Sequence, residues 1–129
     1  MKFAPAPDIQ VRIRKIVEFC EFVYINPDNL ICMRSQKSKA HAYARIWSLP
    51  RIWQSALGVS AHYIIEVISE KFDVQSNEDQ DRTLIHELMH IPKTFSGALV
   101  PHLCFGKRIN AKSVETLYKK YVSRENNES

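Results

Sequence analysis

Apolar residues recur every three or four positions near the start of the chain. The members of this pattern are Ile9, Ile13, Ile16, Cys20 and Val23. This spacing places them on one face of an α-helix. Pro7 and Asp8 precede the pattern, as is common where a helix begins, and the polar run 26–29 follows it. The sequence therefore predicts an amphipathic N-terminal helix that ends before residue 26.

Two short runs after this helix have the composition of β-strands. Leu30–Arg34 and Ala40–Trp47 flank the polar residues Ser35–Ser38, which predicts a hairpin. The second run alternates between a small apolar face and an aromatic and basic row. The face comprises Ala40, Ala42, Ala44 and Ile46, and the row comprises His41, Tyr43, Arg45 and Trp47. We expect this strand to be a sheet edge whose small face packs on a helix. The row either contacts a substrate or partner or is covered by the chain itself.

Three further elements follow from local signals. Pro50–Leu57 predicts a short helix that Gly58 ends, and Tyr63–Phe72 predicts the strongest strand. Ala111–Val122 predicts a last helix, followed by a frayed tail over Arg124–Ser129. The apolar stripe of that helix is formed by Val114, Leu117, Tyr118 and Tyr121.

These elements together predict the fold class. With 129 residues and 45% hydrophobic content, the chain is long enough for one core and short for two domains. We expect one domain over residues 1–129 with short flexible termini. The order of elements favours an α+β fold in which a sheet of about three strands packs on a central helix, with further helices at both ends.

That central helix has a clear beginning and two distinct faces. Ser76 stands three residues before Asp79, as in a helix cap, and acidic residues crowd the first turn. The apolar arc of the helix comprises Leu84, Ile85, Leu88, Met89 and Ile91, and the opposite side carries Thr83, His86, Glu87 and His90. Pro92 ends the helix. The two histidines therefore lie away from the apolar face.

Residues 86–90 read His-Glu-Leu-Met-His, a pattern typical of zinc-dependent peptidases. His86 and His90 lie one helical turn apart, so that both imidazoles reach one metal ion. Glu87 lies beside them, where its carboxylate can take a proton from the attacking water. The motif predicts metal ligation by the two histidines and a general-base role for Glu87. Tyr43, Arg45, Tyr63 and His41 are candidates for holding the developing oxyanion, and the sequence assigns that role to none of them.

A catalytic zinc ion requires a third protein ligand. His102 is the first choice, because Gly97 can adopt a positive φ and turn the loop after Pro92 back toward the helix. Glu115 would give two histidines and a carboxylate, and Cys104 would give a thiolate site of structural type. No spacing argument favours His41 or His62.

Beyond the motif, the chain resembles the small metallopeptidases of archaea and phages. The stretches that carry this resemblance are 40–46, 63–73 and 85–97, together with His102. The resemblance implies a minimal zincin domain, similar in plan to the SprT-like and ImmA-like peptidases, with one Zn²⁺ ion and a third histidine at His102. It implies a zinc-dependent metallopeptidase that hydrolyses peptide or protein substrates. A zinc-dependent hydrolase of another substrate, such as a nuclease, and a non-catalytic zinc-containing binding module are the alternatives.

The formal charge of +4 suggests a further partner. Basic residues concentrate near the C-terminus, at Lys107, Arg108, Lys112, Lys119, Lys120 and Arg124. Such a segment could bind nucleic acid, or it could be the solvated face of a helix.

The cysteines and the hydropathy bear on where the protein is found. Cys20, Cys32 and Cys104 are odd in number and widely spaced, which favours reduced thiols over a disulfide framework. The chain shows no signal peptide and no stretch of membrane-spanning length, so we expect a cytoplasmic protein that does not contact a membrane.

Overall fold

A computed structural model of the chain describes residues 1–104 and 107–128, with backbone alone at 103, 104, 107 and 108. The strands are β1 (Lys2–Pro5), β2 (Leu30–Gln36), β3 (Ala44–Ser48), β4 (Tyr63–Ile68), β5 (Leu103–Cys104) and β6 (Lys107–Arg108). The α-helices are α1 (Pro7–Phe19), α2 (Arg51–Leu57), α3 (Ser69–Phe72), α4 (Asn77–Leu88) and α5 (Ala111–Glu128). The α+β class predicted from the sequence is confirmed.

Four strands form the main sheet, in the order β1-β2-β4-β3. β4 pairs with β2 in parallel and with β3 in antiparallel orientation. The predicted hairpin is therefore wrong, because β4 lies between the two strands that were expected to pair. A nearly continuous apolar run such as 63–68 is typical of a central strand, and its partners cannot be read from its neighbours in sequence.

The expected number of about three strands is too low because β1 was missed. This strand pairs antiparallel with β2, from Lys2 opposite Gln36 to Pro5 opposite Met33. All four of its residues are exposed, and Pro5 suits an edge strand because it has no N–H to donate. An edge strand with no buried side chain leaves no hydrophobic alternation in the sequence.

Several predicted boundaries differ from the structure. The strand predicted over Ala40–Trp47 is observed as Ala44–Ser48, and α4 ends at Leu88, before Pro92 is reached. α1 ends at Phe19, and Val23 lies 90% exposed beyond a turn in which Glu21 has a φ of 58°. The strand predicted over Tyr63–Phe72 ends at Ile68 and passes into α3. The predicted frayed tail is instead helical to Glu128, with an ion pair between Lys15 and Glu125 holding it against α1.

The core lies between the sheet and the helices α1, α4 and α5. α4 begins as predicted, with the Ser76 hydroxyl accepting a hydrogen bond from the Asp79 N–H. The side chains at the centre of this core are fully buried; they include Ile13, Ile65, Val67, Leu84, Ile85 and Leu88. Cys20 and Cys32 are free thiols within the core, and burial raises the pKa of each to about 12. α4 therefore packs into the core through its apolar arc. Its opposite side, which carries His86 and Glu87, is only partly buried.

The opposite face of the sheet carries a buried ionic cluster. Glu66 is 1% exposed and accepts hydrogen bonds from the Arg45 guanidinium (3.1 Å) and the Trp47 indole (2.9 Å). Burial alone would raise the pKa of Glu66, but these hydrogen bonds outweigh burial and hold that pKa below its usual value. Two members of the aromatic and basic row are therefore held on the sheet itself, and Trp47 remains half exposed.

In the part of the chain that the structure describes, no helix combines the length and apolar character needed to cross a membrane.

Candidate metal centre

Two histidines of one short motif and a third from a later loop meet at the end of α4. His86 lies in the last turn of the helix, His90 just beyond its cap at Met89, and His102 sixteen residues after His86. One ring nitrogen from each lies within 4.8 Å of the others. The Nε2 atoms of His86 and His102 are 3.1 Å apart. The structure thus brings together the three side chains that the sequence nominated as ligands.

The loop that carries His102 is fixed by hydrogen bonds to its backbone. The hydroxyl of the buried Tyr63 accepts from the Gly97 N–H and donates to the Ala98 carbonyl, both at 2.8 Å. The Val100 N–H then donates to the His90 carbonyl at 2.7 Å. Gly97 has a φ of +96°, as the turn back toward α4 requires. The position of His102 therefore depends on Tyr63 at the start of β4 as well as on Gly97.

The same loop determines which nitrogen of His90 faces the centre. His90 Nδ1 lies 2.5 Å from the Val100 carbonyl oxygen, which can only accept a hydrogen bond. Nδ1 must therefore carry the proton, and the lone pair of His90 belongs to Nε2. Metal-binding histidines commonly have such a partner on the second nitrogen, because it fixes the tautomer and the ring orientation.

Three imidazole nitrogens are a donor set that suits a divalent metal ion such as zinc. Two nitrogens bound at 2.0–2.1 Å to one tetrahedral ion lie about 3.3–3.4 Å apart, close to the 3.1 Å between His86 and His102. Three imidazoles leave a fourth position free. The cluster lies at the C-terminal end of α4, where the helix dipole favours a cation. Burial, and then the nearby His90 and His102, lower the pKa of His86, which favours the neutral form that can bind a metal.

Glu87 lies beside this cluster in a half-buried position. It lines the same cleft as the three histidines, and in the metal-free protein burial raises the pKa of its carboxyl to about 7. A divalent cation held by the histidines would lower that pKa and favour the carboxylate, which is the form that accepts a proton. The site therefore joins a metal-binding triad to a group suited to general acid–base chemistry.

The cleft over the cluster has a volume of about 470 Å³. Its lining comprises His86, Glu87, His90 and His102, together with Ala42, Ala44, Arg45, Ile46 and Leu99. Ala44 and Ile46 belong to the small face of β3, which contacts α4 as the sequence predicted. β3 is an edge of the sheet, also as predicted.

The other candidate ligands are engaged elsewhere or lie outside the described side chains. The Glu115 carboxylate accepts a hydrogen bond from Arg82 Nε at 2.9 Å and is not a member of the histidine cluster. The Cys104 side chain lies outside the described residues. His62 donates to the Ser60 carbonyl, and neither it nor His41 belongs to the cluster.

Two of the candidates for holding an oxyanion have structural partners. The Tyr63 hydroxyl is occupied by the loop, and the Arg45 guanidinium is occupied by Glu66. The supporting roles of Tyr63 and Val100 were missed, and no sequence signal marks them. Tyr63 reads as an ordinary apolar strand residue, and Val100 acts through its backbone.

Part of the basic C-terminal segment is neutralised by neighbouring carboxylates. Lys120 lies 3.3 Å from Glu21, and Arg124 contacts both Glu21 and Glu128. The side chains of Lys107 and Arg108 lie outside the described residues. Nucleic-acid binding through this segment stays a prediction.

Substituting Gly97 by alanine tests how far the loop determines the site. A Cβ at Gly97 would lie 2.6 Å from the Leu49 carbonyl and closer still to the Gln54 side-chain amide, in addition to the strain of a positive φ. We expect a loss of about 1–3 kcal/mol in the free energy of unfolding and weaker zinc binding. Thermal denaturation and a zinc titration would measure these two effects.

Gly58→Ala is the matched control for that substitution. Gly58 also has a positive φ, of +66°, but a Cβ there meets nothing within 4 Å. It should lose stability through strain alone and keep zinc affinity unchanged. Equal zinc affinity in both variants would contradict the role given to the loop.

The comparisons with known proteins agree with this geometry. A family model described as "Putative phage metallopeptidase" matches residues 1–122. The match includes α4, the loop and all three histidines. No curated protein and no solved structure gave a match.

Proposed function

The chain belongs to the phage metallopeptidase family, and we propose that it is a zinc-dependent peptidase whose metal ligands are His86, His90 and His102. The observation that carries this proposal is the position of one half-buried carboxylate, Glu87, beside three converging imidazoles. A structural metal site does not need a base next to its ligands.

The metal site, Glu87 and His90 have separate roles in the proposed reaction. Zinc, when bound, supplies Lewis-acid polarisation of the scissile carbonyl and of the attacking water. Glu87 accepts the proton of that water at a carboxylate oxygen and then donates it to the nitrogen of the leaving amine. His90 is held in orientation by the Val100 carbonyl, so its Nε2 lone pair is available to the metal.

We propose that the substrate backbone binds along the outer edge of β3. β3 has β4 as its one neighbour in the described sheet, so its other side offers unpaired N–H and C=O groups. A peptide added there as a further strand would lie along the cleft that holds the three histidines. Backbone pairing of this kind gives affinity with little dependence on sequence.

Two alternative functions remain predictions. Hydrolysis of a non-peptide substrate such as a phosphodiester would use the same residues, and a non-catalytic zinc-containing module would use the histidines without Glu87. We also propose a cytoplasmic location. The family assignment and the position of Glu87 favour the peptidase over both alternatives.

Metal analysis combined with a digestion assay tests the proposed function. We expect one zinc ion per chain and cleavage of a denatured protein such as casein, lost on chelation and restored by added zinc. DNA and RNA incubated in parallel should stay intact. Zinc-dependent cleavage of nucleic acid without cleavage of protein would contradict the peptidase proposal. It would favour the alternative, a zinc-dependent nuclease.

A further inference from the structure

Part of the lining of the cleft is apolar. It comprises Ala42, Ala44 and Ile46 from β3 and the residues just before it, and Leu99 from the loop that carries His102. We call these four residues the apolar wall. A volume of about 470 Å³ falls within the range of roughly 300–1,000 Å³ common for ligand pockets, which are mostly apolar with few polar groups.

Leu99 is the most informative member of this wall. It is 42% exposed, yet its neighbours in sequence are held firmly, Ala98 by Tyr63 and Val100 by His90. The loop thus presents a large apolar side chain to solvent in a defined position beside the histidines. An apolar side chain that is ordered but incompletely buried lowers the entropic cost of binding an apolar partner.

Apart from the metal centre, the described lining of the cleft offers no lysine and no unpaired arginine to an acidic substrate side chain. The one guanidinium in the lining, that of Arg45, is paired with Glu66 on the opposite face of the sheet. The lining also includes the carboxyl group of Glu87. Among the described lining residues, no lysine or unpaired arginine is available to a substrate carboxylate.

We propose that the apolar wall is a subsite for an apolar side chain of the substrate, adjacent to the bond that is cleaved. This inference rests on the proposed peptidase function and adds selectivity to it. The β3 edge holds any peptide backbone, and the apolar wall selects peptides with leucine, isoleucine, methionine or phenylalanine next to the scissile bond. Such pockets discriminate by about 10- to 200-fold per apolar group.

Binding to the metal-free protein tests the subsite without catalysis. Two acetylated tripeptide amides, Gly-Leu-Gly and Gly-Asp-Gly, are titrated into labelled protein and followed by NMR. We expect the leucine peptide to bind at least about 10-fold more tightly and to shift the methyl signals of Leu99 and Ala42. Equal affinities, or shifts confined to another surface, would overturn the subsite.

Substitutions in the wall provide the matched comparison. Leu99→Asp and Ala42→Asp each place a carboxylate in the wall at an exposed position and should abolish the preference for leucine. Leu57→Asp is the control, because Leu57 is 59% exposed on α2 and does not line the cleft. If the wall variants keep the preference, the selectivity lies elsewhere and the proposal fails.

A digestion of mixed peptides by the zinc-loaded protein separates the two proposals. Cleavage concentrated next to large apolar residues supports both, and cleavage without such a preference overturns the subsite alone. If no peptide is cleaved, the proposed peptidase function is wrong. The NMR titration then shows independently whether the apolar wall binds an apolar side chain.

Discussion

Replacing Glu87 by glutamine is expected to lower peptide hydrolysis by about 10²–10⁴-fold, the usual contribution of a general acid–base group. Glutamine keeps the size of the side chain but cannot take up the proton of the attacking water. Because Glu87 is not a member of the histidine cluster, zinc content should stay at the wild-type level. Initial rates on one peptide substrate, normalised to measured zinc, give the comparison.

Glu115→Gln is the matched control for this experiment. Glu115 lies near the same helix but is engaged by Arg82, so its replacement should leave hydrolysis within a few-fold of wild type. Wild-type rates in Glu87→Gln would contradict the proposed mechanism. Loss of zinc in that variant would show instead that the carboxylate supports the metal site.

His102→Ala is expected to weaken zinc binding by roughly 100-fold or more, beyond the 10–100-fold that loss of an outer-shell partner costs. Hydrolysis should fall with zinc occupancy, because two histidines remain where a catalytic site requires three ligands. The fold should survive, since His102 is exposed and lies outside the core. Zinc affinity is measured by competition with a chromophoric chelator, and the fold by circular dichroism.

His62→Ala removes an exposed imidazole outside the cluster and should leave zinc affinity unchanged. Glu115→Ala should also have little effect on zinc. If Glu115→Ala released zinc and His102→Ala did not, the third ligand would be the carboxylate. An effect of Cys104→Ala alone would favour the thiolate in the same way.

Local signals explain why α4 and α2 were predicted well. The cap at Ser76 and the αL glycine at Gly58 act within one turn of their helices, so neighbouring residues suffice to identify them. Strand pairing depends on residues far apart. The sequence shows that 63–68 is a strand, but nothing near it indicates that Leu30 will pair with Tyr63.

The same difference between local and long-range signals applies to the candidate site. His86, Glu87 and His90 form one short motif whose spacing carries the chemistry. The placement of His102 depends on the Tyr63 hydroxyl from β4 and on the Val100 N–H, and the orientation of His90 depends on the Val100 carbonyl. None of these contacts has a signature in sequence. Glu66 is a similar case, since its burial is explained only when Arg45 and Trp47 approach from the neighbouring strand.

The position of β4 between β2 and β3 has a kinetic consequence. Both of those strands are synthesised before β4, so each must wait with an open edge until β4 arrives. During that interval the simple pairing of β2 with β3, which local sequence favours, competes with the native register. Non-local closure of this kind slows folding and leaves strand edges available for aggregation. The nascent chain is therefore open to mispairing of β2 with β3 in the interval between the emergence of β3 and that of β4.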